Sequence, residues 1–530
     1  MIERIVENWL TKVNEKSFQA PFCQMLIGEG YKVVHLSRHG PFEEGKDVLA
    51  IAPDGTPCAY QLKGSDGGKI TQKEWAKYAD QIARLVEIPI KHPSIDESQN
   101  RRVYFVTNGE LDEEVRVEIT NRNADRKRRQ YPELSTILKG ELLARFSNIH
   151  TDLWPMQLTS EKELLELYLA DGTGYLDKPK FAGFLETLLL NGDTTKKIEG
   201  QRNLASAALF ASYALSPFTI AENNIAIVEG WVIFLACLIA FVEKNHLDEK
   251  NWRDTVHIAE GAIEMALFDL TEELQKRTDF ITGNSLVDAP FIRGRITCLL
   301  GFVSAYILLM VQQKPDTKID EWFSNFLITN QRLLLLWGEY ATPQFMAIYW
   351  ALKPLGYSIL ADRLIFSMLK GIIEQNINKN GIPDPYHPLS EVVLTSLGLS
   401  DTQHEETYKG RSYSLDSLIQ LLARRGYRGA LAENWRQITL LHFAEFEPET
   451  AWQYCLWHCE DGVFHETMPK APQSWKELVD KASSINLEKI PTYFLDNPAI
   501  LLLFLLVYPH RLQPDVVKYI DKELLKTFDA

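Results

Sequence analysis

Three polar residues stand in a region whose sequence is otherwise typical of buried strands. Asp47 opens the apolar run VLAIA, and Gln61 and Lys63 close the run CAYQLK that follows a Pro-Asp-Gly-Thr-Pro turn. Because residues i and i+2 of a strand project from the same face, Gln61 and Lys63 point the same way. A carboxylate, an amide oxygen and an ammonium group on one face can hold a divalent cation and act on a phosphate ester.

The geometry of this cluster depends on the hairpin that joins the two strands. A three-residue loop at 54–56 would place Asp47 directly opposite Lys63, with Gln61 on the diagonal. Directly opposed Cβ atoms are about 5 Å apart, and diagonal ones are about 7 Å apart. A two-residue loop would instead turn Asp47 away from Lys63, so the predicted cluster requires the longer loop.

The cluster predicts metal-assisted hydrolysis of a phosphodiester. Mg²⁺ or Mn²⁺ takes oxygen ligands and keeps waters and substrate phosphate in its coordination shell. A bound metal lowers the pKa of its water and neutralises charge on the phosphate. Asp47 would hold the metal and Gln61 would add a neutral oxygen. Lys63 would position or deprotonate the attacking water, or stabilise charge that develops in the transition state.

These residues resemble the PD-(D/E)xK nuclease superfamily, in the Asp…Gln-x-Lys variant found in Mrr-like restriction endonucleases. The motif is Asp47 followed by Gln-Leu-Lys at 61–63. The letters FQ at 18–19 and GY at 30–31 resemble the Phe-Glu…Gly-Tyr first helix of that group. GKD at 45–47 resembles its Gly-x-Asp approach to the catalytic strand, and VYFVTNG resembles the strand that follows its next helix.

The resemblance covers about residues 1–150 and implies a fold, an activity and a cofactor. The implied fold is an α/β restriction-endonuclease-like domain, a mixed sheet flanked by helices. The implied activity is cleavage of nucleic acid, with DNA expected, and the implied cofactor is Mg²⁺ or Mn²⁺. Because such nucleases are often fused to a sensor, a role in bacterial restriction or anti-phage defence is also expected.

Two positions depart from the pattern of these relatives. Gln19 stands where relatives often have a glutamate that supports the metal, and Glu15, one turn earlier on the same helix face, is a substitute. The predicted metal ligands are therefore Asp47 and Gln61, supported by Gln19 or Glu15. With amides in place of two carboxylates, metal binding rests heavily on Asp47. The alternative is an inactive nuclease fold that binds nucleic acid or serves as a protein-interaction scaffold.

Basic residues outside the cluster are predicted to contact nucleic acid. Arg122, Arg126 and Arg129 form one stripe of a predicted helix, beside Lys127. Such a stripe can bind phosphates, although an ordinary solvated helix surface has the same composition. Lys69 ends the GSDGGK loop after the second strand, which is predicted to close over nucleic acid.

The chain changes character near residue 150. Before it, predicted helices and strands are mixed, beginning with a helix at 2–29 that Pro21 kinks or divides. After it, apolar segments with helical spacing follow one another, which predicts a large all-α region. We expect a PD-(D/E)xK endonuclease-like domain at 1–150 and helical domains at 151–380 and 381–530, the last two separate or continuous.

The charge distribution favours different partners for the two parts. The net charge is −15, yet the first 150 residues hold equal numbers of basic and acidic side chains, so the acidic surplus lies in the helical region. An acidic surface is poorly suited to bind a polyanion. The helical region is therefore predicted to sense a trigger, bind a protein partner, or form homo-oligomers, dimers or larger, that pair two active sites.

A cytoplasmic protein without a membrane partner is expected. The six cysteines are scattered, which is typical of a reducing compartment, and the N-terminus lacks the apolar core of a signal peptide. The apolar segments 231–242 and 296–311 are shorter than the ~20 residues that span a bilayer. They are predicted to be buried core helices, and the alternative is a membrane-associated effector.

Overall fold

The computed structural model describes most of the chain in two compact units, residues 1–266 and residues 267–530, each considered by itself. The described residues are 2–36, 45–65, 68–150, 158–190, 197–276, 288–314, 321–330, 334–378, 381–396, 410–458, 463–467 and 474–526.

The first unit begins with two helices, α1 (Ile2–Lys12) and α2 (Glu15–Gly28). The break between them falls at Asn14, whose side chain accepts a hydrogen bond from the Ser17 amide at 2.8 Å. Asparagine favours this position because its side-chain oxygen satisfies an amide that the helix leaves without a carbonyl. The helix is therefore interrupted at Asn14 and not at Pro21, where the break or kink was predicted. Pro21 lies inside α2.

A mixed five-stranded sheet follows. The strands of this part of the chain, five of which form that sheet, are in chain order β1 (Lys32–Leu36), β2 (Val48–Ile51), β3 (Pro57–Lys63), β4 (Lys69–Ile70), β5 (Arg102–Thr107), β6 (Glu110–Leu111) and β7 (Leu134–Ile137). The helices among and after them are α3 (Gln72–Glu87), α4 (Glu113–Arg128) and α5 (Lys139–Ile149). The main sheet has the order β1-β2-β3-β5-β7, and β4 pairs with β6 separately. Strands β1, β2 and β3 are antiparallel, whereas β3, β5 and β7 are parallel, so the predicted mixed sheet with flanking helices is confirmed.

Both faces of the main sheet are covered. On one face Ala59 and Phe105 belong to a buried cluster with Trp75 of α3. On the other face Tyr60 meets the ring of Phe22 in α2 at 5.3 Å between centroids. Strands buried on both faces read as nearly continuous apolar runs, which explains why the polar residues of β3 stand out in the sequence.

The hairpin between β2 and β3 turns at residues 53–55, one residue earlier than the predicted loop at 54–56. The Gly55 amide donates to the Ala52 carbonyl at 2.8 Å, and Gly55 has a φ of +82°. Proline has the φ that the first corner of such a turn requires, and glycine tolerates the left-handed conformation that closes it. The position of Pro53 therefore decides where this loop begins.

The earlier loop changes the register of the hairpin. Val48 pairs with Tyr60, and the Asp47 amide donates to the Tyr60 carbonyl at 2.8 Å. Asp47 therefore lies beside Tyr60 and Gln61, and the predicted direct opposition of Asp47 and Lys63 is wrong. A shift of two positions preserves the alternation of faces, so the polar face of the hairpin is retained.

The remaining helices of the first unit follow this domain, and one of them packs against it. They are α6 (Leu158–Tyr168), α7 (Lys178–Leu190), α8 (Lys197–Ala214), α9 (Ser216–Ile220), α10 (Asn224–Asn245), a 3₁₀ turn at Glu249–Asn251 and α11 (Arg253–Lys276), which continues past residue 266. Helix α8 lies against α2, and the ring of Trp9 meets those of Tyr213 at 5.1 Å and Phe146 at 5.4 Å. The predicted boundary near residue 150 thus falls inside one compact unit.

The second unit is mainly helical. Its helices are α12 (Asp288–Gln313), α13 (Trp322–Asn330), α14 (Thr342–Leu352), α15 (Ser358–Asn378), α16 (Leu389–Ser396), α17 (Leu415–Arg424), α18 (Arg428–Ile438), α19 (Ala451–Tyr454), α20 (Trp475–Ser483), α21 (Thr492–Asp496), α22 (Pro498–Val507) and α23 (Pro514–Leu525), with 3₁₀ turns at Glu339–Ala341 and Pro509–Arg511. The predicted boundary near residue 380 falls inside this unit.

A small sheet in the second unit corrects the expectation of an all-α region. Strands β8 (Arg411–Ser412), β9 (His442–Glu447) and β10 (Val463–Thr467) pair in the order β10-β9-β8. The sequence HFAEFE of β9 carries two buried aromatic residues, Phe443 and Phe446. Aromatic side chains favour a pleated, half-buried surface, and that local preference prevails over the helical surroundings.

Among the residues that the structure describes, two helices are long and apolar enough to cross a membrane by length and composition. They span Asn224–Asn245 and Pro290–Gln313, and 83% and 72% of their apolar windows are buried inside the protein. The prediction that these segments are buried helices is confirmed.

Candidate active site

Asp47 and Gln61 are in direct contact at the end of the β2–β3 hairpin. Gln61 Nε2 donates to Asp47 Oδ2 at 2.6 Å, and the same oxygen accepts a bond from the Leu62 amide at 2.7 Å. Both side chains are buried. Hydrogen bonds to an ionised acceptor are stronger than those between neutral groups, so the two donors hold the Asp47 carboxylate in one orientation.

The other polar atom of the Gln61 amide, Oε1, is buried and has no hydrogen-bond partner among the residues that the structure describes. Leaving such an acceptor unsatisfied costs about 1–3 kcal/mol, so a water or a cation is expected there. A hard divalent cation takes oxygens from both a carboxylate and an amide, and Asp47 lies next to this amide.

The donor set fits a weakly held metal ion. In the part of the chain that the structure describes, no group of three or more His, Cys, Asp and Glu side chains is placed to hold a metal. Asp47 and Gln61 therefore offer one charged and one neutral oxygen donor. The remaining ligands of a Mg²⁺ or Mn²⁺ ion would be waters and substrate phosphate, as is common for Mg²⁺.

Lys63 projects from the same face as Gln61, two residues further along β3. Its Nζ lies 2.7 Å from Glu15 Oε1 and 5.5 Å from the centre of the Tyr78 ring. Burial raises the pKa of the Tyr78 hydroxyl, and the Lys63 ammonium opposes that shift. Tyr78 lies on α3, and its position in the sequence does not predict a contact with Lys63.

The two predicted supports of the metal occupy different environments. Glu15 is the first residue of α2 and its carboxylate contacts Lys63. Gln19, one turn later, is buried, and its Nε2 has no hydrogen-bond partner in the structure. Glu15 is therefore joined to the lysine of the cluster, and a metal-supporting role for either residue stays a prediction.

Glycines allow helices α2 and α3 to approach the β2–β3 hairpin. A Cβ atom on Gly45 would lie 2.4 Å from the Gln81 carbonyl oxygen, and Gly45 has a φ of +76°. A Cβ on Gly64 would lie 2.9 Å from the Glu15 amide nitrogen. Both distances are shorter than a real side chain allows, so only glycine permits these approaches beside the site.

Asn108 is a site-supporting residue that the sequence did not reveal. Its buried Nδ2 donates to the carbonyls of Leu10 at 2.8 Å and Val13 at 3.1 Å, and its Oδ1 accepts from the Ser65 amide at 2.9 Å. The end of β5 is thereby tied to the end of α1 and to the segment that follows Lys63. The Asn-Gly dipeptide after β5 was the available signal, but it predicts a turn and not these partners.

The basic stripe on α4 is partly engaged within the domain. Arg122 pairs with Glu118 at 2.7 Å, and Arg126 donates to Asn123 Oδ1 at 3.0 Å. Burial lowers the pKa of Arg126, and the nearby Arg122 adds to that shift. Arg126 therefore has a structural contact of its own, which its spacing in the helix did not indicate.

Three more predicted phosphate contacts lie on the surface. Lys127 is exposed and pairs with Glu133 at 3.5 Å, and Arg129 is exposed at the C-terminal end of α4. Lys69 is exposed on β4, where Glu110 is its partner in the register with β6. Their role in binding nucleic acid stays a prediction.

Comparison with known proteins found no matching family model, no matching curated protein and no matching solved structure. The resemblance to PD-(D/E)xK nucleases therefore rests on the motif and on the order of the elements around it.

Proposed function

We propose that the chain is a metal-dependent nuclease that hydrolyses phosphodiester bonds, with DNA as the expected substrate. The observation that carries the proposal is the contact between Asp47 and Gln61, whose buried Oε1 has no partner. Lys63 lies on the same face of β3. A carboxylate, an unsatisfied amide oxygen and a lysine ammonium are the groups that this chemistry requires.

Each residue has a separate task in this proposal. Asp47 and Gln61 would hold Mg²⁺ or Mn²⁺, which when bound supplies an acidified water and neutralises phosphate charge. Lys63 would contact a phosphate oxygen and stabilise charge that develops there. The Leu62 amide keeps the Asp47 carboxylate oriented toward the site.

The order of the elements also supports the proposal. A helix, three antiparallel strands, the short strand β4, a helix and a parallel strand follow one another from α2 to β5. The motif resemblance implies this order, with the acid at the start of the second strand and the lysine at the end of the third. Asp47 and Lys63 hold those two positions.

A cleavage assay tests the proposal. The full chain is incubated with supercoiled plasmid, single-stranded DNA or RNA in the presence of Mn²⁺. We expect cleavage by the wild type, and a loss of about 100-fold or more in Asp47→Asn and in Lys63→Met. Asp54→Asn, at the tip of the hairpin, is the matched control and should cleave like the wild type. Equal cleavage by wild type and Asp47→Asn would contradict the proposal.

A second candidate function is favoured by the poor metal ligand set. With one carboxylate in the cluster, the domain would bind nucleic acid or a protein without cleaving it. Thermal unfolding separates the two functions, because a metal that binds only the folded state raises its stability. If Mn²⁺ does not shift the melting temperature of the wild type and no nucleic acid is cleaved, the scaffold function is supported.

The helical region after residue 150 is proposed to regulate the domain at residues 1–150. Its acidic surplus is unfavourable for binding a polyanion, which supports a role in sensing a trigger, binding a protein partner or assembling homo-oligomers. We place the protein in the bacterial cytoplasm, in restriction or anti-phage defence. Light scattering of the purified chain, with and without nucleic acid, measures whether it assembles.

A further inference from the structure

The ammonium of Lys63 already has an anionic partner in the absence of nucleic acid. Its Nζ contacts Glu15 Oε1 at 2.7 Å, and the Tyr78 ring lies over another side of the ammonium. The Lys63 side chain is 10% exposed, whereas that of Glu15 is 35% exposed. The carboxylate is therefore accessible to solvent, and it lies on the nearly buried cation.

The position of Glu15 is fixed by its backbone. It is the first residue of α2, where the helix dipole favours a negative charge. Its amide nitrogen is so near to Gly64 that a Cβ on that glycine would lie 2.9 Å away. The backbone of Glu15 is therefore held in place, whereas its side chain can move away from Lys63 without a shift of helix α2.

From this geometry we infer that Glu15 is an internal competitor of the substrate. Its carboxylate oxygen stands in for a phosphate oxygen on Lys63, and a phosphodiester must displace it. The inference rests on the proposed function, because it requires that Lys63 contacts the backbone of nucleic acid. An ammonium has three donors, but a carboxylate and a phosphate on one nitrogen repel each other at short range.

Because the substrate must displace Glu15 from Lys63, the site is selective for nucleic acid backbones that make more than one contact with the protein. A single weak anion gains only the Lys63 contact and must overcome the existing ion pair. A nucleic acid chain gains additional contacts along its length and can displace Glu15 at a modest cost. Glu15 is therefore a specificity-determining residue for polymeric phosphodiesters, and its effect is exerted through Lys63.

A binding measurement without metal tests the inference. Fluorescence anisotropy follows a short labelled DNA duplex, a single strand or an RNA with the full chain in EDTA. We expect Glu15→Gln to bind about twofold to fivefold tighter than the wild type, which corresponds to the usual strength of a partly exposed ion pair. Glu114→Gln, an exposed glutamate in the first turn of α4, is the matched control for the loss of one charge.

Lys63→Met separates failure of the inference from failure of the proposed function. We expect Lys63→Met to bind more weakly than the wild type, and Glu15→Gln combined with Lys63→Met to bind like Lys63→Met alone. If Lys63→Met is weaker but Glu15→Gln is no tighter than Glu114→Gln, the inference is overturned and the proposed function stands. If Lys63→Met binds like the wild type, the lysine does not contact nucleic acid and the proposed function is overturned too. A methylphosphonate oligonucleotide, whose backbone is neutral, should show no effect of Glu15→Gln.

Discussion

In the proposed metal site, we expect the amide at position 61 to limit the affinity for the cation. In Gln61→Glu a second carboxylate would lie beside Asp47, and added ligand charge strengthens the binding of a divalent cation. We expect roughly tenfold tighter binding of Mn²⁺ by calorimetry. Without metal the two carboxylates repel each other, so the variant should melt below the wild type and recover when Mn²⁺ is added.

Gln99→Glu is the control for this substitution, since Gln99 is exposed and distant in sequence from the cluster. It introduces the same charge in the same unit. Equal Mn²⁺ affinities of Gln61→Glu and Gln99→Glu would show that Gln61 does not face a metal.

Glu339 gives the second unit a pH dependence near neutrality. Its buried carboxylate accepts hydrogen bonds from the Ser412 hydroxyl and from the amides of Tyr413 and Ser414. Burial raises its pKa from 4.5 to about 7 despite these donors. Because the folded state holds the proton more tightly, this stabilisation is complete below pH 4.5 and is lost as the pH rises through about 7.

We expect Glu339→Gln to flatten that dependence. The wild type should lose up to about 1.4 kcal/mol of unfolding free energy in this unit for each pH unit between those values, relative to the variant. Hydrogen exchange of peptides from residues 267–530 measures it. Glu433→Gln, on the exposed side of α18, should keep the wild-type slope, and an unchanged slope in Glu339→Gln would contradict the prediction.

At the scale of elements, the approach of α2 to the end of β3 depends on Gly64. In Gly64→Ala the new Cβ would lie 2.9 Å from backbone of Glu15, which cannot move like a flexible side chain. We expect a loss of about 1–3 kcal/mol in stability.

Gly183→Ala is the opposite case within the same unit. Gly183 lies inside α7, and a Cβ added there would meet no atom within 4 Å, so alanine should stabilise the helix by about 0.5–1 kcal/mol. Urea unfolding of both variants measures the difference. A Gly64→Ala variant as stable as the wild type would show that helix α2 can shift to accommodate the added methyl group without a loss of stability.

Local sequence signals predicted the elements of the first domain better than their exact limits. Strands β1, β2, β3 and β5 and helices α3 and α4 follow from the sequence pattern, and the mixed sheet follows from their order. Strands β4, β6 and β7 were not predicted. The hairpin loop was misplaced because its position depends on the turn preference of Pro53 and not on the apolar pattern. The strand β9 was missed because its aromatic run lies among helices of stronger periodicity.

The candidate site could be predicted only in part, for a related reason. Asp47, Gln61 and Lys63 follow from the alternation of two adjacent strands, a local rule. The partnership of Lys63 with Glu15 joins residues 48 positions apart, and it depends on how α2 packs against the sheet. The contacts of Asn108 likewise depend on tertiary packing, which no spacing in the sequence encodes.

At the scale of the whole molecule, we expect one buried group in each unit to make the two units respond to acid in opposite directions. In the first unit His150 is buried, and its ring nitrogens contact the hydroxyls of Ser206 at 2.9 Å and Tyr213 at 3.1 Å. Burial lowers its pKa from 6.5 to about 3. The stability that this depressed pKa contributes is present above pH 6.5 and is lost as the pH falls toward 3.

Acidification should therefore weaken the first unit through His150 while Glu339 strengthens the second. Hydrogen exchange at about pH 5 and about pH 7 should show the amides of residues 1–266 becoming less protected in acid by comparison with His150→Gln, which cannot titrate. If wild type and His150→Gln change equally with pH, the histidine does not carry this response.

The tip of the β2–β3 hairpin is a suitable place to insert a peptide tag. It lies at the far end of β3 from Lys63, about 20 Å away at the usual rise of a strand, and a side chain at Gly55 would meet no atom within 4 Å. A short peptide tag inserted there would tether the protein to a surface with the Lys63 end of the hairpin directed outward. Single DNA molecules could then be observed on the tethered protein to test the proposed nuclease activity.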